Sequence, residues 1–102
     1  KYNVHMKELE FEWDKRKDAA NVKKHGVTFE EARTAFYDES AIQFYDPDHS
    51  EQEDRFILLG LSLKAHVLVV CHCFRESETV VRIISARKAD KEEERAYWER
   101  RK

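Results

Sequence analysis

Apolar and charged residues take turns at the start of the chain, where Leu9, Phe11 and Trp13 alternate with Glu8, Glu10 and Glu12. A period of two belongs to a strand with one face in a core and the other in water, so an edge strand is predicted here. Asp14 then offers a helix N-cap. Ala19 and Val22 follow at helical spacing within Lys15 to Lys24, with Ala20 beside them, and Gly26 supplies the left-handed residue that commonly ends a helix. Thr28 and Glu31 have the spacing of a capping box, and Val27 and Ala32 that of a hydrophobic staple. A second helix is therefore expected at once, burying Phe29, Ala32 and Phe36. The pair has the shape of a helix-turn-helix, but Glu30, Glu31 and Asp38 against a lone Arg33 oppose DNA recognition by its second helix.

Ala41 to Asp46 read as a strand stopped by Pro47, and the acidic stretch Asp48 to Asp54 as a solvated turn. Phe56 to Leu63 and His66 to Phe74 are Leu- and Val-rich runs, consistent with central strands covered on both sides. Glu76-Ser77-Glu78 turns the chain into a last strand, Val80 to Ala89. Asp90 then opens a charged helix running to Lys102, with Ala96, Tyr97 and Trp98 as its packing side. The order β-α-α-β-β-β-β-α with short links predicts an α+β fold. Its antiparallel sheet has four to five strands, with two N-terminal helices and one C-terminal helix against one face and the other face partly open. A chain of 102 residues has room for one core, so residues 6–102 are expected to form a single domain. Lys1 to His5 precede Met6, the one methionine, and are read as vector-derived or disordered.

The last strand puts core and charge in the same place. Regular alternation sets Val80, Arg82, Ile84 and Ala86 on one face and Val81, Ile83, Ser85 and Arg87 on the other, with an arginine on each. A guanidinium rarely points into a helix-covered core, so at least one of the two, Arg82 first, is expected to face a polar cleft. Arg55, Arg75 and Arg87 lie on or beside neighbouring strands, and Lys24 with His25 sits at the helix turn, so cations can converge on a phosphate. Taken singly, these other arginines read first as long side chains covering apolar strand ends. His25 suits a helix C-terminal cap as well as it suits proton transfer. Trp13, Tyr97 and Trp98 have the character of base-stacking residues, yet their spacing favours core packing. Cys71-His72-Cys73 superficially resembles a metal cluster, but on a strand His72 points away from both thiols; no metal and no cofactor are expected.

Charge changes the picture only locally. The net charge is −2, yet Asp38 to Asp54 holds seven acidic residues and no Lys or Arg, while Arg82 to Lys102 holds eight basic against five acidic. The weak overall charge argues against indiscriminate nucleic-acid binding and leaves a basic region that a polyanion could use. Apolar residues make up 41% of the chain and come in blocks, which separates it from disordered chains of similar charge. Absence of a membrane-length apolar run and of a leader, with two free thiols, predicts a cytoplasmic protein without membrane contact.

These residues add up to a resemblance. Phe11-Glu12-Trp13-Asp14, Asn21, Lys24-His25-Gly26-Val27-Thr28-Phe29-Glu30-Glu31-Ala32, Phe36 and Asp38 resemble the N-terminal half of the BrnT toxin family. Arg82-Ile83-Ile84-Ser85-Ala86-Arg87-Lys88-Ala89 with Glu94 and Tyr97 resembles its C-terminal half, and Arg55 and Gly60 fall where the family's middle strands carry them. One departure is Lys64-Ala65-His66, which stands where a Gly-containing turn is expected. The resemblance implies a RelE-like fold and a ribonuclease toxin of a type II toxin–antitoxin pair. It implies metal-independent RNA cleavage that inhibits translation and growth, neutralisation by a BrnA-like antitoxin, and contact with DNA only through that antitoxin. On residue type and the matched motifs, Arg55 and Arg82 take the phosphate and Arg75 or Arg87 the backbone or leaving side. His25 or Lys24 assists proton transfer, and Trp13 and Tyr97 hold a base. The competing reading is a non-catalytic interaction module whose basic face docks an antitoxin or RNA without cleavage.

Overall fold

The computed structural model describes residues 9–76 and 78–101, so Lys1 to His5 and Ser77 lie outside the described residues. The elements are β1 (Glu10–Glu12), α1 (Lys15–His25), α2 (Phe29–Ala35), β2 (Ile42–Tyr45), β3 (Phe56–Leu61), β4 (Val67–Arg75), β5 (Val80–Lys88) and α3 (Lys91–Arg101), with a 3₁₀ turn at Pro47–His49. They form the expected α+β domain around one five-stranded sheet of order β1-β5-β4-β3-β2. The sheet is antiparallel from β2 to β5, and β1 adds a parallel pair at its edge, Glu10 to Glu12 facing Val80 to Arg82. Among the described residues no helix is long and apolar enough to cross a membrane.

The helix boundaries follow their capping chemistry. Asp14 accepts hydrogen bonds from the amides of Arg16 and Lys17, and Gly26 closes α1 at φ 74° with its N–H on Val22 O. Thr28 caps α2 by accepting from the Glu31 amide at 3.0 Å, while the Asp18 carboxylate of α1 receives the Phe29 amide at 2.9 Å and so joins the two helices. Asp90 and Glu93 exchange amide-to-carboxylate bonds of 2.8 Å each, a reciprocal capping box that starts α3.

The expected packing of α1 is corrected. Ala19 and Ala20 are exposed and Val22 is 41% exposed; the buried residue of this helix is Asn21. Beyond Arg82 the outer edge of β5 has no strand partner, because β1 ends opposite it at Glu12. Asn21 fills that gap. Its amide nitrogen donates to Ala86 O at 2.7 Å and Val27 O at 2.9 Å, and its oxygen accepts from the Ala86 amide at 3.1 Å. One side chain thus imitates a peptide unit of an adjacent strand and ties α1, the helix turn and β5 together.

The core lies between the sheet and the first two helices, built from Val27, Phe29, Ala32 and Ala35 against Leu58, Leu68, Val70, Val81, Ile83 and Ala86. Gly60 is required beneath α2, since a Cβ there would lie 2.9 Å from Ala35 O. The expected gathering of all helices on one face is also corrected. α3 lies on the opposite face, where Tyr97 packs with Leu59 and Val67. Of its expected packing residues only Tyr97 is buried; Ala96 is exposed and Trp98 is 42% exposed. The Tyr97 hydroxyl donates to Asp38 at 2.5 Å, and Asp38 also receives the amides of Leu61 and Ser40. Burial works to raise the Asp38 carboxyl, but these hydrogen bonds and the Arg101 charge hold it below its ordinary value.

Two details complete the frame. The β3–β4 hairpin turns through Ala65 at φ 64°, the conformation for which glycine was expected, and is pinned by Glu31, whose Oε2 meets Ser62 Oγ at 2.6 Å and His66 Nδ1 at 2.8 Å. Glu31 therefore does not complete the capping box implied by its spacing. On the core face of β4, His72 is fully buried, with Nδ1 3.1 Å from Val70 O and Nε2 2.8 Å from the Gln43 amide.

Two stability predictions follow from these buried polar groups. Asn21→Ala strands the Ala86 N–H and C=O away from water, which should lower the unfolding free energy by roughly 2–4 kcal/mol in urea titration. Burial pushes the His72 imidazole down from 6.5 to about 4. The unfolded chain then binds this proton more readily, so the contribution is full above pH 6.5 and is lost as the pH falls towards about 4. The loss should approach about 3 kcal/mol, and His72→Phe should flatten that part of the stability profile.

Candidate active site

The arrangement of the open face depends on an irregularity in β5. His72 pairs with Ile83, but the next residue back along β4, Cys71, pairs with Ser85, so Ile84 is an unpaired insertion. Such a bulge reverses the alternation beyond it. Ala86 accordingly joins Val81 and Ile83 in the core, and Arg82 and Arg87 come to share the face away from α1 and α2. The expectation of one arginine per face is therefore corrected.

One rung of this face crosses all five strands. Glu12 lies opposite Arg82, and Arg82 opposite Cys73. Arg55 comes one step past the Phe56–His72 pair, beside Cys73, and Asp46 donates its amide to Arg55 O at 2.8 Å one step past the Tyr45–Phe56 pair. Asp46, Arg55, Cys73, Arg82 and Glu12 thus form a row with a thiol at its centre, an arginine on either side of it and a carboxylate beyond each arginine. Burial and the nearby Glu53 carboxylate raise the Cys73 thiol, and Arg82 and Arg55 pull it back. Register sets the two arginines on either side of Cys73, Arg82 on β5 and Arg55 just before β3. Cys71, on the next rung, is likewise pushed up by burial and pulled back by Arg55.

The four arginines are held with very different strength. Arg87 makes two 2.8 Å bonds to the Glu93 carboxylate, which hold Glu93 down to about 2 and raise the guanidinium. Arg75 meets Glu12 through Nε at 3.1 Å. Arg82 reaches the same carboxylate only at 3.8 Å, and Arg55 reaches Glu53 only at 3.6 Å. Partly exposed pairs at such lengths are worth little, so Arg55 and Arg82 are the cations most easily turned towards an anionic ligand.

Beside Arg55 the sheet opens into a cleft of about 380 Å³, floored by Ile57, Cys71 and Ile84, with His25, His49 and Arg87 among its other lining residues. A second opening of about 380 Å³ over the acidic loop shares His49 and Arg55 with it. Of the residues singled out from sequence, Arg55, Arg82, Arg75 and Arg87 lie on this face, and His25 reaches the cleft. Lys24 is exposed and takes no part in the lining. Tyr97 is fully buried under α3, with no ring face left for a base, and Trp13 packs edge-on against Phe29 at the core. The two aromatic residues expected to hold a base thus serve the core.

Sequence reasoning missed Asp46 and His49. The His49 Nδ1 lies 2.9 Å from Asp46 Oδ2 across the 3₁₀ turn begun by Pro47. Residues i and i+3 eclipse in such a turn, so Asp-Pro-Asp-His carried a usable signal for the pair. The alternation expected for Cys71-His72-Cys73 is observed, with His72 in the core and the thiols on the open face. Among the described residues no group of three or more His, Cys, Asp or Glu is placed to hold a metal ion.

Comparison with known proteins points in one direction. A crystal structure of the Brucella abortus ribonuclease toxin BrnT, determined at 1.1 Å resolution, superposes with a TM-score of 0.62. The match covers 81% of this chain and 99% of that one at 22% identity, which shows a shared fold. No curated protein matches the chain. The family model described as "Ribonuclease toxin, BrnT, of type II toxin-antitoxin system" matches residues 13–93, a span that includes Arg55, Arg82, the β5 bulge and the capping box of α3. The chain belongs to the BrnT family of ribonuclease toxins of type II toxin–antitoxin systems.

Proposed function

We propose that this chain is a metal-independent endoribonuclease that cuts RNA by attack of a ribose 2′-hydroxyl on the adjacent phosphorus. Its activity inhibits translation and growth in the cytoplasm until a BrnA-like antitoxin covers the open face. The observation that carries this reading is the pair of loosely held, part-exposed guanidinium groups flanking the buried Cys73 on the sheet face away from α1 and α2. Arg55 and Arg82 sit two strands apart, about 10 Å between Cα atoms, close enough for their long side chains to bracket one phosphate.

The chemistry assigned to them is electrostatic. As the 2′-oxygen approaches phosphorus, negative charge builds on the equatorial oxygens, and two cations, Arg55 lining the cleft and Arg82 across Cys73 from it, stabilise that charge more than they stabilise the starting diester. His25, which lines the cleft, is the residue to which this reading gives the 2′-hydroxyl proton. Arg75 steadies the neighbouring backbone, while Arg87, committed to Glu93, acts mainly by holding α3 against β5. Lys24, exposed outside the cleft lining, takes no part in the proton transfer, and Trp13 and Tyr97, packed at the cores on either face of the sheet, hold no base. An antitoxin with an acidic segment would meet the same arginines, so inhibition and catalysis share a surface.

The test is cleavage of a mixed-sequence RNA by the purified chain in EDTA, with Arg82→Ala and Arg55→Ala alongside. Wild-type protein should cut, and each variant should lose roughly a hundredfold or more in rate, as expected for removal of one charge-stabilising donor. Intact RNA with wild-type protein would contradict the proposal and favour a module that binds without cleaving.

A further inference from the structure

We infer that His49, oriented by Asp46, is the general acid that protonates the departing 5′-oxygen; this rests on the ribonuclease reading above. Asp46 is only 9% exposed, and its carboxylate meets His49 Nδ1 at 2.9 Å. A buried carboxylate behind Nδ1 fixes the orientation of the ring, leaving Nε2 as the nitrogen available to a ligand. The imidazole is not buried with it: the His49 side chain is 67% exposed and lines both openings beside Arg55.

The loop that carries the pair is built to hold it. Pro47 starts the 3₁₀ turn, the His49 amide donates to Asp46 O at 3.4 Å, and the Ser50 hydroxyl donates to the same oxygen at 2.5 Å. Ser50 Oγ in turn accepts the Arg55 amide at 2.9 Å, and Asp46 N donates to Arg55 O. Asp46, His49 and Arg55 are thereby locked into one hydrogen-bonded unit, with the phosphate-binding cation and the proton donor mounted on the same frame. The other described histidines are placed differently. His66 is bound to Glu31 on the hairpin, and His72 is enclosed in the core. His25 enters the cleft from the β5 side, among Ser85 and Arg87, whereas His49 enters from the β2 side.

Two imidazoles on opposite sides of a cleft suit an in-line displacement, which requires a base and an acid on opposite sides of phosphorus. The bond from the 2′-oxygen to phosphorus forms as its proton passes to His25. The bond from phosphorus to the 5′-oxygen breaks as the His49 Nε2 proton passes to that oxygen, giving a 2′,3′-cyclic phosphate and a 5′-hydroxyl. His49 ends neutral and His25 protonated, so the charge balances without a co-reactant.

A leaving-group substitution separates this role from a structural one. The linkage cut by wild-type protein is resynthesised with sulfur in place of the bridging 5′-oxygen; a thiolate departs without needing a proton. With the oxygen substrate, His49→Gln should slow single-turnover cleavage by roughly 10²–10³-fold. With the sulfur substrate it should cleave within a few-fold of wild type, whereas Arg55→Ala should remain slow on both. Asp46→Asn, which leaves the ring but weakens its orientation, should show the same sparing by sulfur to a smaller degree. Equal losses on both substrates, or an unimpaired His49→Gln on oxygen, would overturn the assignment while leaving the ribonuclease reading intact. Wild-type protein inert towards RNA would overturn both.

Discussion

The inserted residue in β5 decides which chemistry this sheet can display. Arg82 and Arg87 are five positions apart, an odd separation that puts side chains on opposite faces of a regular strand. Ile84 takes up one residue without a partner on β4, and the parity changes between them. Without that insertion, one guanidinium would point at α1 and α2 and the core would hold an unpaired charge. With it, Ala86 takes the core position and Arg87 emerges beside Glu93. Asn21 secures the segment just after the bulge, bonding to both polar groups of Ala86 at an edge that β1 is too short to cover.

A second division of labour runs along the open face. Its far end is apolar and lies under α3, which Tyr97 and Asp38 anchor and the Arg87–Glu93 pair braces. Its near end carries Arg55, Cys73 and Arg82 on one rung, with the arginine side chains part-exposed. The geometry of the ion pairs sorts structural cations from available ones: two short parallel bonds commit Arg87, while separations of 3.6 and 3.8 Å leave Arg55 and Arg82 free to exchange a carboxylate for a phosphate.

Much of this was legible from residue patterns. Caps at Asp14, Thr28 and Asp90, the left-handed Gly26 and the apolar runs of β3 and β4 are local signals, and the elements they predict are observed. What escaped was set by tertiary context. Ala19 and Val22 have helical spacing, but α1 lies against a strand edge and is held by hydrogen bonds from Asn21, a contact that hydropathy does not register. The bulge leaves no trace in composition, because Ile84 is as apolar as its neighbours. The spacing of Tyr97 favoured the core over base stacking, and α3 seats it in the core beside Asp38. The Asp46–His49 pair needed a 3₁₀ turn in an acidic loop that was read simply as solvated. Convergence of the arginines was anticipated; the rung that joins Arg55 to Arg82 across Cys73 came from register alone.

The central claim is that Arg55 and Arg82 act on one phosphate. A double-mutant cycle on single-turnover RNA cleavage, using wild type, Arg55→Ala, Arg82→Ala and the double variant, measures this most directly. If both guanidinium groups grip the same developing charge, the double variant should lose markedly less than the product of the single losses, a coupling of roughly 1–3 kcal/mol. Losses that multiply, leaving a coupling within about 0.5 kcal/mol of zero, would mean that the two arginines work at separate places.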